Sequence, residues 1–184
     1  MQEVTFIIGL PGSGKSTLIE HYKAHPFIDY KIYDDWMTWT LDHLDKDFAA
    51  DPNYPDLLQD LKNNTNIIIS CIEFCDNEFL HKAEYYLKSQ FPNLKITRIY
   101  FENNPEKAKS NIKYRDKQNG GCFFENENGE RLYCGKLFND EPLYELEIKK
   151  AKEFSLNYII PESYAVFPII VHTNFQKGDR KSVV

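Results

Sequence analysis

The chain has 184 residues, a formal net charge of −6, and 42% apolar against 27% charged residues. That length supports one domain with its own core, and no stretch reaches the ~20 apolar residues of a membrane-spanning helix. An acidic balance with only four arginines, Arg98, Arg115, Arg131 and Arg180, disfavours a long nucleic-acid footprint and leaves room only for a local basic groove.

The first apolar run, Val4 to Ile8, has strand length. It is followed by Gly9-Leu10-Pro11-Gly12-Ser13-Gly14-Lys15-Ser16-Thr17. G-x-x-x-x-G-K-S between a strand and a helix is the signature of a loop that cradles phosphate. Backbone N–H groups can surround a polyphosphate only where side chains do not intrude, and Gly9, Gly12 and Gly14 meet that need. Pro11 stiffens one corner. The start of the following helix presents free N–H groups and a positive dipole end. Lys15 then reaches the β- and γ-phosphates, the Ser16 hydroxyl is placed for Mg²⁺, and Thr17 supports the α-phosphate side.

Lys15 to Ala24 reads as a helix with Leu18, Ile19 and Tyr22 on one face, ended by Pro26. Tyr30 to Tyr33 is a short strand followed by Asp34-Asp35. Ligands of open parallel sheets lie at the carboxyl ends of strands. These carboxylates are therefore candidates to deprotonate an attacking hydroxyl or to hold Mg²⁺ through water; the competing use is to cap a helix starting at Trp36. That helix, Trp36 to Phe48, carries apolar residues at 37, 41, 44 and 48. Its tryptophans either stack a ring or, as is commoner, belong to the core.

A short helix opens at Tyr54-Pro55 with Leu57, Leu58 and Leu61. Asn66 to Ile72 is the most continuous apolar run, which predicts a central strand buried on both faces. Glu73 at its end is the better candidate for Mg²⁺, whereas Asp76 suits the N-cap of a helix over 77–90. Lys95 to Phe101 is the next strand, and Asn104-Pro105-Glu106 starts a helix with Ala108 and Ile112 inward. Asn111 and Arg115 share a face of it. Among its basic residues, Arg115 is the candidate to neutralise a transferring phosphoryl group, against a plain solvated lysine face.

Residues 116–141 are the least patterned and predict a lid, with a hairpin between Cys122–Phe124 and Arg131–Tyr133. Arg131 is a second candidate cation. Pro142 opens a last helix to about Phe154, and either Tyr158–Ile160 or Phe167–Val171 supplies a final strand. Residues 174–184 read as a polar tail after a single domain over 1–173. Cys71, Cys75, Cys122 and Cys134 lack zinc spacing. Free thiols, no secretion signal and a cytoplasmic setting are the expectation, a metal clip at Cys122 and Cys134 the lesser alternative.

The Gly9–Thr17 loop, the Asp pair at the second strand and the basic helix together resemble the small phosphate-loop kinases. Within them they are similar to the polynucleotide 5′-kinase and zeta-toxin-like branch, over roughly residues 3 to 117. The resemblance implies an α/β phosphate-loop NTPase fold: a parallel sheet of about five strands, helices on both faces, a lid insertion. It implies ATP and Mg²⁺, a general base at Asp35 with Asp34 second, and an arginine at Arg115. Three positions depart from the branch. Trp36, Met37 and Thr38 stand where an arginine follows the Asp pair, Ser110-Asn111 stands for Arg-Asn, and Cys71 stands for an aspartate. The lost arginines point to an uncharged or weakly charged small acceptor. The expected activity is transfer of the γ-phosphate of ATP to a hydroxyl of such an acceptor. The alternatives are a polynucleotide 5′-hydroxyl kinase and a nucleotide-binding NTPase or switch.

Overall fold

Val4, Phe6 and Ile8 alternate with Thr5 and Ile7 along one strand, and both sets are buried, so this strand needs cover on two faces. In the computed structural model, which describes residues 2–24, 30–34, 48–51, 53–119, 123–125, 131–133 and 143–170, it sits at the centre of the sheet. Five parallel strands, β1 (Glu3–Ile8), β2 (Tyr30–Tyr33), β3 (Asn66–Ser70), β4 (Lys95–Phe101) and β7 (Val166–Phe167), lie in the order β2-β3-β1-β4-β7. A separate antiparallel pair, β5 (Phe123–Glu125) and β6 (Arg131–Tyr133), realises the expected hairpin. The helices are α1 (Lys15–Lys23), α2 (Tyr54–Lys62), α3 (Asn77–Gln90), α4 (Pro105–Asn119) and α5 (Leu143–Ser155).

The helices divide between the faces as crossover handedness requires. The β1-to-β2 connection runs one way along the sheet, and the β2-to-β3, β3-to-β4 and β4-to-β7 connections run the other. Right-handed crossovers in opposite directions put their helices on opposite faces. Ile19 of α1 packs with Ile7, Ile68 and Phe101 on one face. Leu57 and Leu61 of α2, Leu80 and Leu87 of α3, Ala108 and Ile112 of α4 and Ala151 of α5 pack with Val4, Phe6, Ile67 and Ile69 on the other.

Local signals set several boundaries. Asp76 caps α3 by accepting from the Glu78 and Phe79 amides at 2.8 and 3.4 Å, and Asn104 caps α4 through the Lys107 amide at 3.0 Å. β3, expected to be central, lies one place from the middle of the sheet and is shorter than its apolar run, Asn66 to Ile72. It ends at Ser70, and Ile72–Cys75 form a 3₁₀ turn. The partners explain the stop: Ser70 pairs with Ile7, just before β1 leaves the sheet at Gly9, and β2 ends opposite Ile69. The turn buries Phe74 edge-on to Phe6, with ring centroids 4.9 Å apart. The final strand is Val166–Phe167, which shares only Phe167 with the second candidate run; Pro168 has no amide to continue the ladder.

The other run, Tyr158–Ile160, is not a strand. Tyr158 is buried, and its hydroxyl lies 2.6 Å from the Phe101 carbonyl and 3.1 Å from the Ile8 carbonyl. One side chain thus bridges the carboxyl ends of β4 and β1. Burial pushes its phenol well above the ordinary tyrosine range, so it acts as a donor throughout the folded protein's pH range. Tyr158→Phe strands these two carbonyls, and we expect a loss of about 1–3 kcal/mol in urea unfolding at an unchanged m-value. An unchanged midpoint would show that the bridge contributes nothing.

Arg98 is likewise structural. Its Nε and Nη2 grip both carboxylate oxygens of Glu84 on α3, and its Nη1 donates to the Tyr164 hydroxyl at 2.8 Å. It is therefore committed to holding α3 and the 161–164 turn against β4. Among the described residues no helix is long and apolar enough to cross a membrane.

Candidate functional site

The segment between β1 and α1 is shaped by its glycines. Gly12 and Gly14 have φ of +78° and +100°, the left-handed region open to glycine at little cost. Their lack of a side chain is also a packing requirement. A Cβ on Gly12 would meet the Ala108 carbonyl oxygen of α4 at 2.5 Å, and one on Gly14 would meet Ile170 Cβ at 2.9 Å. The loop is closed by the Ser13 amide donating to the Leu10 carbonyl at 3.1 Å.

α1 begins without a cap. Gly14 occupies the N-cap position, no side chain accepts from the first turn, and that turn holds no acidic residue. Among the described residues no acceptor takes the Gly14, Lys15, Ser16 or Thr17 amides. These orphan donors sit at the positive end of the helix. Lys15 is half-buried, and its ammonium donates to the Gly9 and Leu10 carbonyls at 2.8 and 3.1 Å. Ser16 and Thr17 are exposed. Uncapped donors and a cation meet at one mouth, the arrangement that receives an anion.

The sheet order gives that mouth its place. The chain leaves β1 toward β2 and leaves β4 toward β7, so the crevice above β1 and β4 is the switch point at which open α/β sheets bind ligands. Two buried hydroxyls belong to the loop after β1 and to the end of β3, which pairs with β1. Ser13 and Ser70 are 0% exposed, and their Oγ atoms have no hydrogen-bond partner among the described residues.

Beneath the loop, Cys75 is buried against Gly9 and near Lys15. Burial pushes its thiol up to about 12 against the pull of the Lys15 ammonium, so it stays protonated and unreactive at neutral pH. Glu73 lies on the 3₁₀ turn, not on the strand end that its sequence position suggests. It is 6% exposed, and one carboxylate oxygen accepts from the Cys71 thiol. Asp76, the competing acid, is committed to capping α3.

The remaining candidates are placed unevenly. Asp34 is exposed and directly follows β2, two strands from β1, a lateral separation of ~10 Å. Asp35 and the predicted 36–47 helical stretch lie outside the described residues, as do Cys122, Cys134 and the 174–184 tail. Phe48, where the expected helix ends, instead starts a 3₁₀ turn, Phe48–Ala50. The backbone of Arg115 lies one turn beyond Asn111 on α4, and Arg131 pairs across the hairpin with Glu125. Much of the proposed lid, including 120–122, 126–130 and 134–141, is outside the described residues.

Two contributors are not among the candidate site residues read from the sequence, although that reading puts Asn111 on the face of Arg115. Asn111, on the inward face of α4 between Ala108 and Ile112, donates to the Gly12 and Ile170 carbonyls at 2.9 and 2.7 Å. Ile170 in turn donates its amide to the Ser13 carbonyl at 3.2 Å. A polar residue on an otherwise apolar helix face was the available signal for Asn111, because such a group must find partners. Ile170 carried none.

No protein-family model matches the chain, and no curated protein matches it. Among solved structures, the chain is similar to one described as "Crystal structure of APE1195", at 15% identity and a TM-score of 0.40, covering 85% of this chain and 94% of that one.

Proposed function

We propose that this protein is an ATP-dependent phosphotransferase of the phosphate-loop kind, moving the γ-phosphate to a hydroxyl of a small acceptor. One observation carries the reading: an uncapped helix N-terminus, preceded by left-handed glycines and joined by a lysine ammonium, opens at the switch point of a parallel sheet. Orphan amides and Lys15 would hold the triphosphate. Asp35, with Asp34 second, would take the proton of the acceptor hydroxyl. Arg115, and Arg131 from the hairpin, would neutralise charge on the transferring group, and the 116–141 region would exclude water during transfer.

The donors present fit a Mg²⁺ ion, which takes oxygen ligands, few of them from protein. The exposed Ser16 hydroxyl and the Glu73 carboxylate would hold it. When bound, Mg²⁺ neutralises charge on the β- and γ-phosphate oxygens.

The test is transfer of label from γ-labelled ATP with Mg²⁺. Acceptors are a panel of polyols, sugars and nucleosides, and separately a 5′-hydroxyl oligonucleotide at low salt. We expect a labelled small acceptor, and Asp35→Asn should abolish labelling while ATP still binds. Labelling of the oligonucleotide alone would make the acceptor a polynucleotide. Slow hydrolysis that Asp35→Asn leaves intact would mark an NTPase or switch. Absence of ATP binding would remove the whole reading.

A further inference from the structure

A glycine loop is the most freely rotating kind of backbone, and a site made of its amides works only if they are held in one arrangement. Gly12-Ser13 is held from both sides. A trans peptide is planar, with its C=O and N–H pointing oppositely. The Gly12 carbonyl accepts from Asn111 at 2.9 Å, and the Ser13 amide on the far side donates to the Leu10 carbonyl at 3.1 Å. The next carbonyl, of Ser13, accepts from the Ile170 amide, and the Ile170 carbonyl accepts the second Asn111 hydrogen. These bonds form a closed ring through three segments far apart in sequence: the loop, α4, and the residues after β7.

Asn111 is 4% exposed, and its neighbours on the helix face, Ala108 and Ile112, are fully buried. An apolar residue there would match its neighbours but leave the Gly12 and Ile170 carbonyls without this donor. A buried amide is retained only by its bonds, and both of its hydrogens go to backbone that shapes the loop. A Cβ on Gly12 would also lie 2.5 Å from the Ala108 carbonyl oxygen, so α4 packs directly against the loop backbone.

We infer that Asn111 is a positioning residue that locks the glycine loop in its donor-presenting form and ties it to α4 and Ile170. In its bearing on nucleotide this rests on the function proposed above. The lock itself does not. α4 carries Arg115 one turn further on and leads toward the β5–β6 hairpin. The loop and the helix bearing the candidate cation therefore move as one body.

The test uses the full chain and two substitutions of similar volume. Asn111→Asp keeps the shape and removes both donors, and Asn111→Leu removes them without adding charge. The first readout is amide hydrogen exchange in the protein without nucleotide. Protection at Ser13 and Ile170 should fall about tenfold or more in both variants, while β3 and β4 amides keep wild-type protection. The second is affinity for Mg-ATP, expected to fall about 10- to 100-fold in both. Wild-type protection at Ser13 and Ile170 in Asn111→Leu would overturn the inference, as would an equal loss across the central strands, which marks general destabilisation. Lost protection with unchanged Mg-ATP affinity would overturn the positioning role. If wild type itself binds no ATP, the proposed function fails while the exchange arm still decides the lock.

Discussion

Lys15→Ala is expected to reduce phosphoryl transfer by at least 10²–10³-fold and to leave the fold in place. The ammonium is the one charge on the loop itself, which holds no other ionisable residue between Gly9 and Thr17. In the folded protein it contacts two loop carbonyls, Gly9 and Leu10. It is half-buried and close to water, so those carbonyls can be resolvated when it is removed. The stability change should therefore stay within about 1 kcal/mol. The substitution separates function from folding: initial transfer rates and Mg-ATP affinity should collapse while the urea midpoint hardly moves. Lys15→Arg should not rescue, because a planar fork does not replace a point charge on a flexible stem. Transfer by the alanine variant at the wild-type rate would show that the loop does not hold the reacting phosphates.

Gly12→Val should have the second large effect, on stability and binding together. The residue has φ of +78°, and an added Cβ would lie 2.5 Å from the Ala108 carbonyl oxygen and 2.8 Å from Ile112 Cγ1. The first of these is helix backbone and cannot rotate away. A left-handed conformation costs a side-chain-bearing residue about 1–2 kcal/mol before any clash, and more when β-branched. Relief requires the loop to lift from α4, which breaks the Asn111 bond to the Gly12 carbonyl. We expect a loss of about 2–4 kcal/mol in denaturant unfolding and Mg-ATP affinity too weak to measure by calorimetry. A Gly12→Val variant with wild-type midpoint and affinity would refute the account of the loop's shape.

Much of the fold could be read from sequence because its signals are local. Asp76 and Asn104 were legible as caps, since each acts within three residues of itself. The apolar run of β3 and the alternation of β1 follow from side chains facing two covered faces. What the sequence misplaced or left open was decided by partners. β3 stops at Ser70 because β1 turns into its loop, and that displaced Glu73 onto a buried 3₁₀ turn. Tyr158 belongs to an apolar run that reads as a strand, yet its hydroxyl is spent on strand ends of β1 and β4. Arg98 looks like any other basic residue until Glu84 is brought beside it.

The sequence by itself determined the glycine loop, the lysine that follows it and the helix that α1 becomes. Those depend on backbone freedom and on periodicity within a few residues. Only the tertiary structure decided that β1 lies between β3 and β4, so that the loop opens at the switch point of the sheet. It alone brought Asn111 and Ile170 onto the loop, across 99 and 59 residues of separation for the two Asn111 bonds. A buried amide announces in sequence that it needs partners. Which carbonyls it finds is settled by how the helices pack.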